Sequence, residues 1–328
     1  YGGYGLTEDQ NLDCFKILAP AWGANPGIWI EGENGKLAYG SVQPEMKEAL
    51  QAYAQWYKEG IIDPEFTTKD LEKMLQGEIS SSVGVSPYYQ YWGYDPGPNV
   101  VQNLGADAIF EPYEIPSANG GEVKASVTFA NYGYIVVSKG CKNPEAVLKL
   151  LNFYAHVMDE GDEEDADFIN ELFGNAYTNI PYALRVINPN TDYNQFVKVS
   201  GALEKGLDED PAALGKDGVK YSNSVDFIKE GASTGVGDYL QQGGPKAAYR
   251  ISKEIIDNEQ YIKDAMWGPA TETLLSAGST LDDILTDGFT KIIVGEESID
   301  YFDTLVDNWA KAGGTKATEE INETYGNN

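Results

Sequence analysis

Histidine occurs once in the 328 residues, at His156, and cysteine twice, at Cys14 and Cys141. One imidazole excludes multi-histidine metal sites, and a nucleophilic triad would have to be built on that one residue, which falls on a predicted helix surface. The two cysteines are far apart and form no CxxC pair, so buried free thiols are expected, and no apolar leader precedes Cys14 to make it a lipid-anchor site. Basic residues are also scarce, 23 against 52 acidic, for a formal charge of -29. A field of that sign repels nucleic acid and anionic lipid surfaces. No apolar run approaches the roughly 18 to 20 residues that a membrane-spanning helix needs. The glycine-rich stretches 231–237 (GASTGVG) and 241–245 (QQGGP) lack the Walker lysine and serine and are read as loops. The acidic run 159–167 (DEGDEEDAD) lacks the glycine and terminal glutamate of a calcium loop and is read as a solvated loop or helix start, with a bound calcium ion as the alternative reading, and no cofactor is expected.

Helical periodicity and aromatic side chains are abundant: 22 Tyr, 11 Phe and 6 Trp. The chain exceeds the usual size of one hydrophobic core, which predicts two lobes. A short helix is expected over 12–18, and a hairpin over 28–39 around the Asn34-Gly35 turn. Residues 44–59 place Met46, Ala49, Leu50, Tyr53, Trp56 and Tyr57 on one helical face, closed by Gly60. A second helix over 68–76 leads to a short strand at 80–85, which Pro87 ends. Closing helices are expected over 281–294, 299–310 and 318–325. No internal repeat is visible.

Residues 110–153 read as a turn cluster, a strand over 127–137 rich in β-branched and aromatic residues, and a helix announced by Asn143-Pro144-Glu145. The passage Ser138-Lys139-Gly140-Cys141-Lys142-Asn143-Pro144-Glu145-Ala146 resembles the hinge passage of the family 1 extracellular solute-binding proteins, the capture subunits of ABC importers for sugars and oligosaccharides. Tyr57-Lys58-Glu59-Gly60-Ile61-Ile62-Asp63-Pro64-Glu65-Phe66 is similar to that family's "YKEGLIDPEF" helix exit, and 289–314 to its C-terminal helix pair. The resemblance implies a two-lobed α/β fold of the periplasmic-binding-protein type II, with discontinuous lobes joined by hinge crossings. Residues 1–130 and 261–328 would form the C-terminal-type lobe and 131–260 part of the N-terminal-type lobe. It further implies that the chain begins inside a lobe, after a first segment bearing an export signal and lipid anchor. Location on the bacterial cell surface as a lipoprotein or in the periplasm, a monomeric state, and ABC permease subunits as partners follow from the same resemblance.

Binding chemistry is expected in the aromatic loop Tyr88-Tyr89-Gln90-Tyr91-Trp92-Gly93-Tyr94, because full burial of five rings beside a proline and glycines is costly. Aromatic faces pack on the C–H faces of pyranose rings, while phenol and indole groups hydrogen-bond hydroxyls. Tyr88, Tyr89 and Trp92 are therefore candidate ligand contacts, with Tyr88 and Trp92 expected to be at least partly open to solvent. The resemblance adds Asn131 and Tyr132 on the crossing strand. It also adds Trp267 and Thr271 in Trp267-Gly268-Pro269-Ala270-Thr271, which departs from the family's "YGAPTPTM". Asp13 and Trp22 complete the set. These residues point to capture of a carbohydrate without covalent chemistry. The rival readings are a receptor of the same fold for a peptide or polyamine, with Asp13 and Asp95 as carboxylates, a two-carboxylate glycoside hydrolase, and a surface glycan-binding module.

Overall fold

The computed structural model describes residues 4–32, 35–129, 135–156 and 190–326. Its contacts divide the chain into two compact units, Tyr1–Phe129 with Glu254–Asn328, and Ala130–Lys253. The expected boundaries lay at 130/131 and 260/261. The acidic run 159–167, with Asn131 and Tyr132, lies outside the described residues.

The first unit is assembled from both ends of the chain. Helix α1 (Asp13–Leu18) is followed by the antiparallel strands β2 (Trp29–Glu31) and β3 (Leu37–Tyr39), then by α2 (Pro44–Lys58). Pro44 opens α2, Lys58 complements its C-terminal dipole, and Gly60 takes the left-handed conformation beyond its end. Its apolar face buries Met46, Ala49, Leu50 and Tyr53 against Leu281, Leu285, Phe289, Ile292 and Ile293 of a long helix, Glu272–Val294. Each such side chain contributes about 1.5–3 kcal/mol when buried, so this seam outweighs any cap, worth typically about 1 kcal/mol. Two further helices, Tyr301–Trp309 and Thr315–Tyr325, close the core with Phe302, Leu305, Trp309, Ala317 and Ile321. The Tyr39 ring stacks on Trp309 at 5.6 Å and lies tilted against Trp29 at 5.1 Å, tying the hairpin to the C-terminal helices.

Between the hairpin and the crossing come α3 (Leu71–Ile79), β4 (Val83–Val85) and α4 (Gly97–Leu104). The Asp70 carboxylate caps α3 by accepting from the Lys73 N–H at 2.9 Å. Strand β1 (Tyr4–Leu6) pairs in parallel with β4, and β5 (Ala125–Val127) pairs in parallel with β6 (Tyr261–Lys263). Asp264, just after β6, is buried and accepts from the backbone N–H groups of Trp29 and Met266, each at 3.0 Å.

The second unit contains α5 (Ala146–Ala155), α6 (Thr191–Lys205), α7 (Gly218–Glu230) and most of α8 (Ala248–Asp257), which carries the chain back to the first unit. Val199, Ala202, Tyr221 and Val225 form its α6–α7 seam. Polar links reinforce it: Gln242 donates to Gln195 at 2.7 Å, Gln195 donates to Asp217 at 2.8 Å, and Asp238 accepts from Asn223 and Lys220. In α5 only Tyr154 is buried, and Leu148, Leu150 and Phe153 are exposed. His156, at the end of that helix, is exposed.

Several expectations are corrected. Of the strand read over 127–137, Val127 closes β5, and residues 128–129 and 135–137 carry no strand, while 130–134 lie outside the described residues. The long C-terminal helix begins at Glu272 rather than 281, because the Thr273 N–H and hydroxyl both donate to Glu320 and Ser276 bonds back to Glu272, offsetting the weak propensity of Ser276, Gly278 and Ser279. The stretches 231–237 and 241–245, read as loops, are in large part wound into short helical turns that run over 233–243. This is possible because Gly235 and Gly243 let the backbone approach Asn223 and Ser224, where a Cβ would meet atoms at 2.0 and 2.8 Å. Cys14 is buried, but Cys141 is exposed in a polar turn closed by its own N–H to Ser138 at 2.9 Å.

Two glycines of the long helix test this packing. A Cβ at Gly288 would lie 2.4 Å from Leu305, whereas at Gly278 nothing lies within 4 Å. Gly288→Ala is expected to lower unfolding free energy by about 1–3 kcal/mol, and Gly278→Ala to raise it by about 0.5–1 kcal/mol, as measured by urea denaturation.

Candidate functional site

The aromatic loop is held by one carboxylate. Glu78 lies on the same face of α3 as Met74, one helical turn on, and is fully buried. It accepts hydrogen bonds from the Ser86 hydroxyl and from the Trp92 indole N–H, one on each oxygen. Burial raises its pKa, and the two donors oppose that shift. Both donors lie beyond β4, so Glu78 pins the start and the middle of the loop to α3. The Trp92 ring also packs on Phe110, with centroids 4.9 Å apart. Trp92 is consequently 8% exposed, which corrects the expectation of an open ring: its indole N–H is used inside the fold.

The other rings of the loop are presented outward. Tyr89 is 56% exposed, and Tyr91 and Tyr94 are exposed as well. Tyr88 is half-buried, resting on Cys14, Met74 and Leu75, and meets Tyr89 edge-on at 5.5 Å. Burial raises both phenol pKa values, and nearby carboxylates raise them further, Asp95 and Glu78 for Tyr88 and Asp13 for Tyr89. Asp13 is half-exposed at the start of α1, where Lys16 donates to it at 3.0 Å. The structure thus brings Asp13, Tyr88 and Tyr89 into one neighbourhood.

Beneath that neighbourhood Glu8 is fully buried and accepts from the backbone N–H groups of Asp9 at 2.7 Å, Cys14 at 3.2 Å and Phe15 at 2.6 Å. It fixes the first turn of α1, and with it Asp13. Burial pushes the Glu8 carboxyl up to about 8, against the lowering influence of those N–H groups and with a further raising contribution from Asp9.

Trp22 joins a ladder of rings instead, edge-on to Tyr53 at 5.4 Å and tilted against Trp56 at 5.7 Å. Its remaining face lines a shallow groove of about 590 Å³ with Glu48, Gln51, Gln55 and Asn119. Trp267 is 52% exposed and leans on Phe129 at 5.0 Å. Thr271 is half-buried at the N-terminus of the long helix. Among the described residues no cluster of three His, Cys, Asp or Glu has the arrangement of a metal site, and no helix is long and apolar enough to cross a membrane.

The sequence reading missed Glu8 and Glu78. A signal for Glu78 was available, a lone acid on the turn following Met74 and Leu75, on a face that otherwise packs. Glu8 carried none, because its partners are backbone groups.

Two outcomes follow. Trp92→Ala leaves a buried carboxylate with one donor fewer and a cavity against Phe110, so a loss of about 3 kcal/mol is expected, while Tyr89→Ala should change stability by no more than about 0.5 kcal/mol, both by urea denaturation. For Glu8, the folded chain holds its proton up to about pH 8, whereas the unfolded chain releases it near the ordinary value of 4.5. Its contribution is therefore complete below pH 4.5 and declines as pH rises toward 8. Glu8→Gln should flatten that part of the stability profile, whatever it does to absolute stability.

No family model matches the chain. Lipoprotein LipO of Bacillus subtilis (strain 168) is 24% identical over 353 aligned positions, covering 95% of this chain and 60% of LipO. Among solved structures, that of the alginate-binding protein AlgQ2 without calcium ion matches with a TM-score of 0.57 and 14% identity, covering 98% of this chain and 64% of AlgQ2. The chain thus spans less than two thirds of the length of either relative. The likeness in structure, over nearly the whole chain, establishes that it has the two-lobed α/β fold of the periplasmic-type binding proteins.

Proposed function

We propose that the protein is an extracytoplasmic solute-binding protein that captures a carbohydrate, an oligosaccharide in particular, for an ABC importer. The observation that carries this reading is the cluster of half-buried and exposed phenols at Tyr88, Tyr89 and Tyr91, held out from a loop whose own anchor, Glu78, is buried. Amphipathic rings on a fixed backbone offer flat apolar faces for pyranose C–H groups and hydroxyls for their edges, at little conformational cost. The structural relative is an alginate-binding protein, which supports a carbohydrate ligand, and LipO is a lipoprotein, which supports a place on the cell surface.

In this reading no covalent step occurs, the protein is not an enzyme, and it acts as a monomer. Ligand stabilises a closed state by binding it better than the open one, through a change at the two hinge crossings, and permease subunits recognise the closed form. Asp13, Tyr88, Tyr89, Trp267 and Thr271 are the proposed contacts, together with Asn131 and Tyr132. Trp92 serves as the packed support of the loop. The carboxylates beside the rings, Asp13 near Tyr89 and Asp95 near Tyr88, favour a second reading in which the ligand is a polyamine.

A thermal-shift screen with mono- and oligosaccharides, and with spermidine, separates the two. A saccharide present at 100 times its dissociation constant should add about 2.7 kcal/mol to the folded state. Tyr89→Ala should weaken that saccharide by about 1–3 kcal/mol without lowering the melting temperature of the free protein. A shift with spermidine and none with any saccharide would replace the carbohydrate reading by the polyamine one.

A further inference from the structure

All six tryptophans lie among the described residues, and Trp267 is the one that is exposed. It stands in the segment 264–271, which carries neither strand nor helix, so no backbone ladder holds it in place. The segment is gripped instead by the last helix, Thr315–Tyr325. The Tyr325 hydroxyl donates to the Pro269 carbonyl at 2.6 Å. The same ring lies against the Gly268 backbone, where a Cβ would meet Tyr325 Oη at 2.6 Å, Cε1 at 3.0 Å and Cζ at 3.2 Å. Gly268 is outside the left-handed region, so the close approach of this ring, and not the backbone conformation, is what asks for glycine there. Tyr325 itself packs against the core of the first unit. A line of contacts therefore runs from that core, through Tyr325, to the two residues that follow Trp267.

We infer that Tyr325 is a positioning residue of the binding surface: it clamps the Gly268-Pro269 turn so that the Trp267 indole, backed by Phe129, keeps one orientation with a face open to the ligand. The inference rests on the reading of Trp267 as a saccharide contact and names what holds that contact in place. A ring already ordered in the free protein loses less rotamer and loop freedom on binding, so the clamp acts on affinity by pre-organisation. Asp264, accepting from the Met266 N–H, and Glu320, accepting from Thr273, fix the two ends of the segment. Tyr325 fixes its middle. The effect of Tyr325 on the ligand passes through Trp267 and needs no contact of its own.

The test titrates the full chain with maltotriose, xylotriose, mannotriose and trigalacturonate by isothermal calorimetry, and follows whichever binds through Tyr325→Phe, Gly268→Ala, Trp267→Ala and the double variant Tyr325→Phe with Trp267→Ala. Tyr325→Phe keeps the ring and loses the donor, and is expected to weaken binding about three- to tenfold, the size of one neutral hydrogen bond. Gly268→Ala pushes the ring aside and is expected to do at least as much; the displaced atoms are the far end of one side chain, so circular dichroism should show the variant folded. In the Trp267→Ala background, itself weakened about tenfold, Tyr325→Phe should cost nothing further, whereas a merely structural defect would weaken binding equally in both backgrounds. A second readout needs no ligand. Acrylamide quenching of Trp267 fluorescence, taken as the difference between each chain and its Trp267→Phe counterpart, should rise in Tyr325→Phe and in Gly268→Ala as the indole is released. Affinity unchanged in Tyr325→Phe, quenching unchanged, or a loss that persists in full beside Trp267→Ala would overturn the inference and leave the carbohydrate reading standing. Binding of none of the four saccharides would overturn both.

Discussion

The seam between Pro44–Lys58 and Glu272–Val294 is the contact on which the first unit depends. Its two helices lie more than two hundred residues apart in the chain, and the last helices dock on the same core through Phe302, Leu305 and Trp309. The hairpin reaches this core through the Trp29, Tyr39 and Trp309 stack, and α1 reaches it through Phe15, whose ring lies 4.5 Å from Tyr53. Gly288 sets how closely Leu305 can approach, and so fixes where the last helices dock. With that frame fixed, β5 and β6 are aligned in parallel, and Phe129, Lys263 and Trp267 are carried to their places.

Buried carboxylates then translate the frame into a surface. Glu8 and Glu78 do the same work at different ends of one neighbourhood: each spends its oxygens on donors from a segment that would otherwise be free to move. Removing such a group from water is costly unless it is well hydrogen-bonded, and so these sites tolerate few alternatives. The rings above them are left open because their supports are closed.

Much of the frame was legible from sequence. The helix 44–59 announced itself through Pro44, its apolar spacing and Gly60, and the hairpin through its Asn-Gly turn. The fold type was legible through a resemblance carried by the passages 57–66, 138–146 and 289–314. What stayed hidden were features that depend on contacts distant in sequence. The start of the long helix is decided by Glu320, nearly fifty residues away, and the turns over 233–243 by the nearness of Asn223 and Ser224. In the site, the richness of the 88–94 loop in rings was plain. Its division into packed Trp92 and open Tyr89 was not, because the choice is made by Glu78 from another element.

The first unit is continuous in space but not in the chain: its two stretches are joined covalently only through residues 130–253. A single peptide-bond cleavage anywhere in that span would turn the unit into a complex of two polypeptides. Its integrity would then obey mass action, with a dissociation constant in place of a unimolecular unfolding constant. The α2 seam, which in the intact chain is ordinary core, would become a subunit interface, and dilution alone could take the binding surface apart.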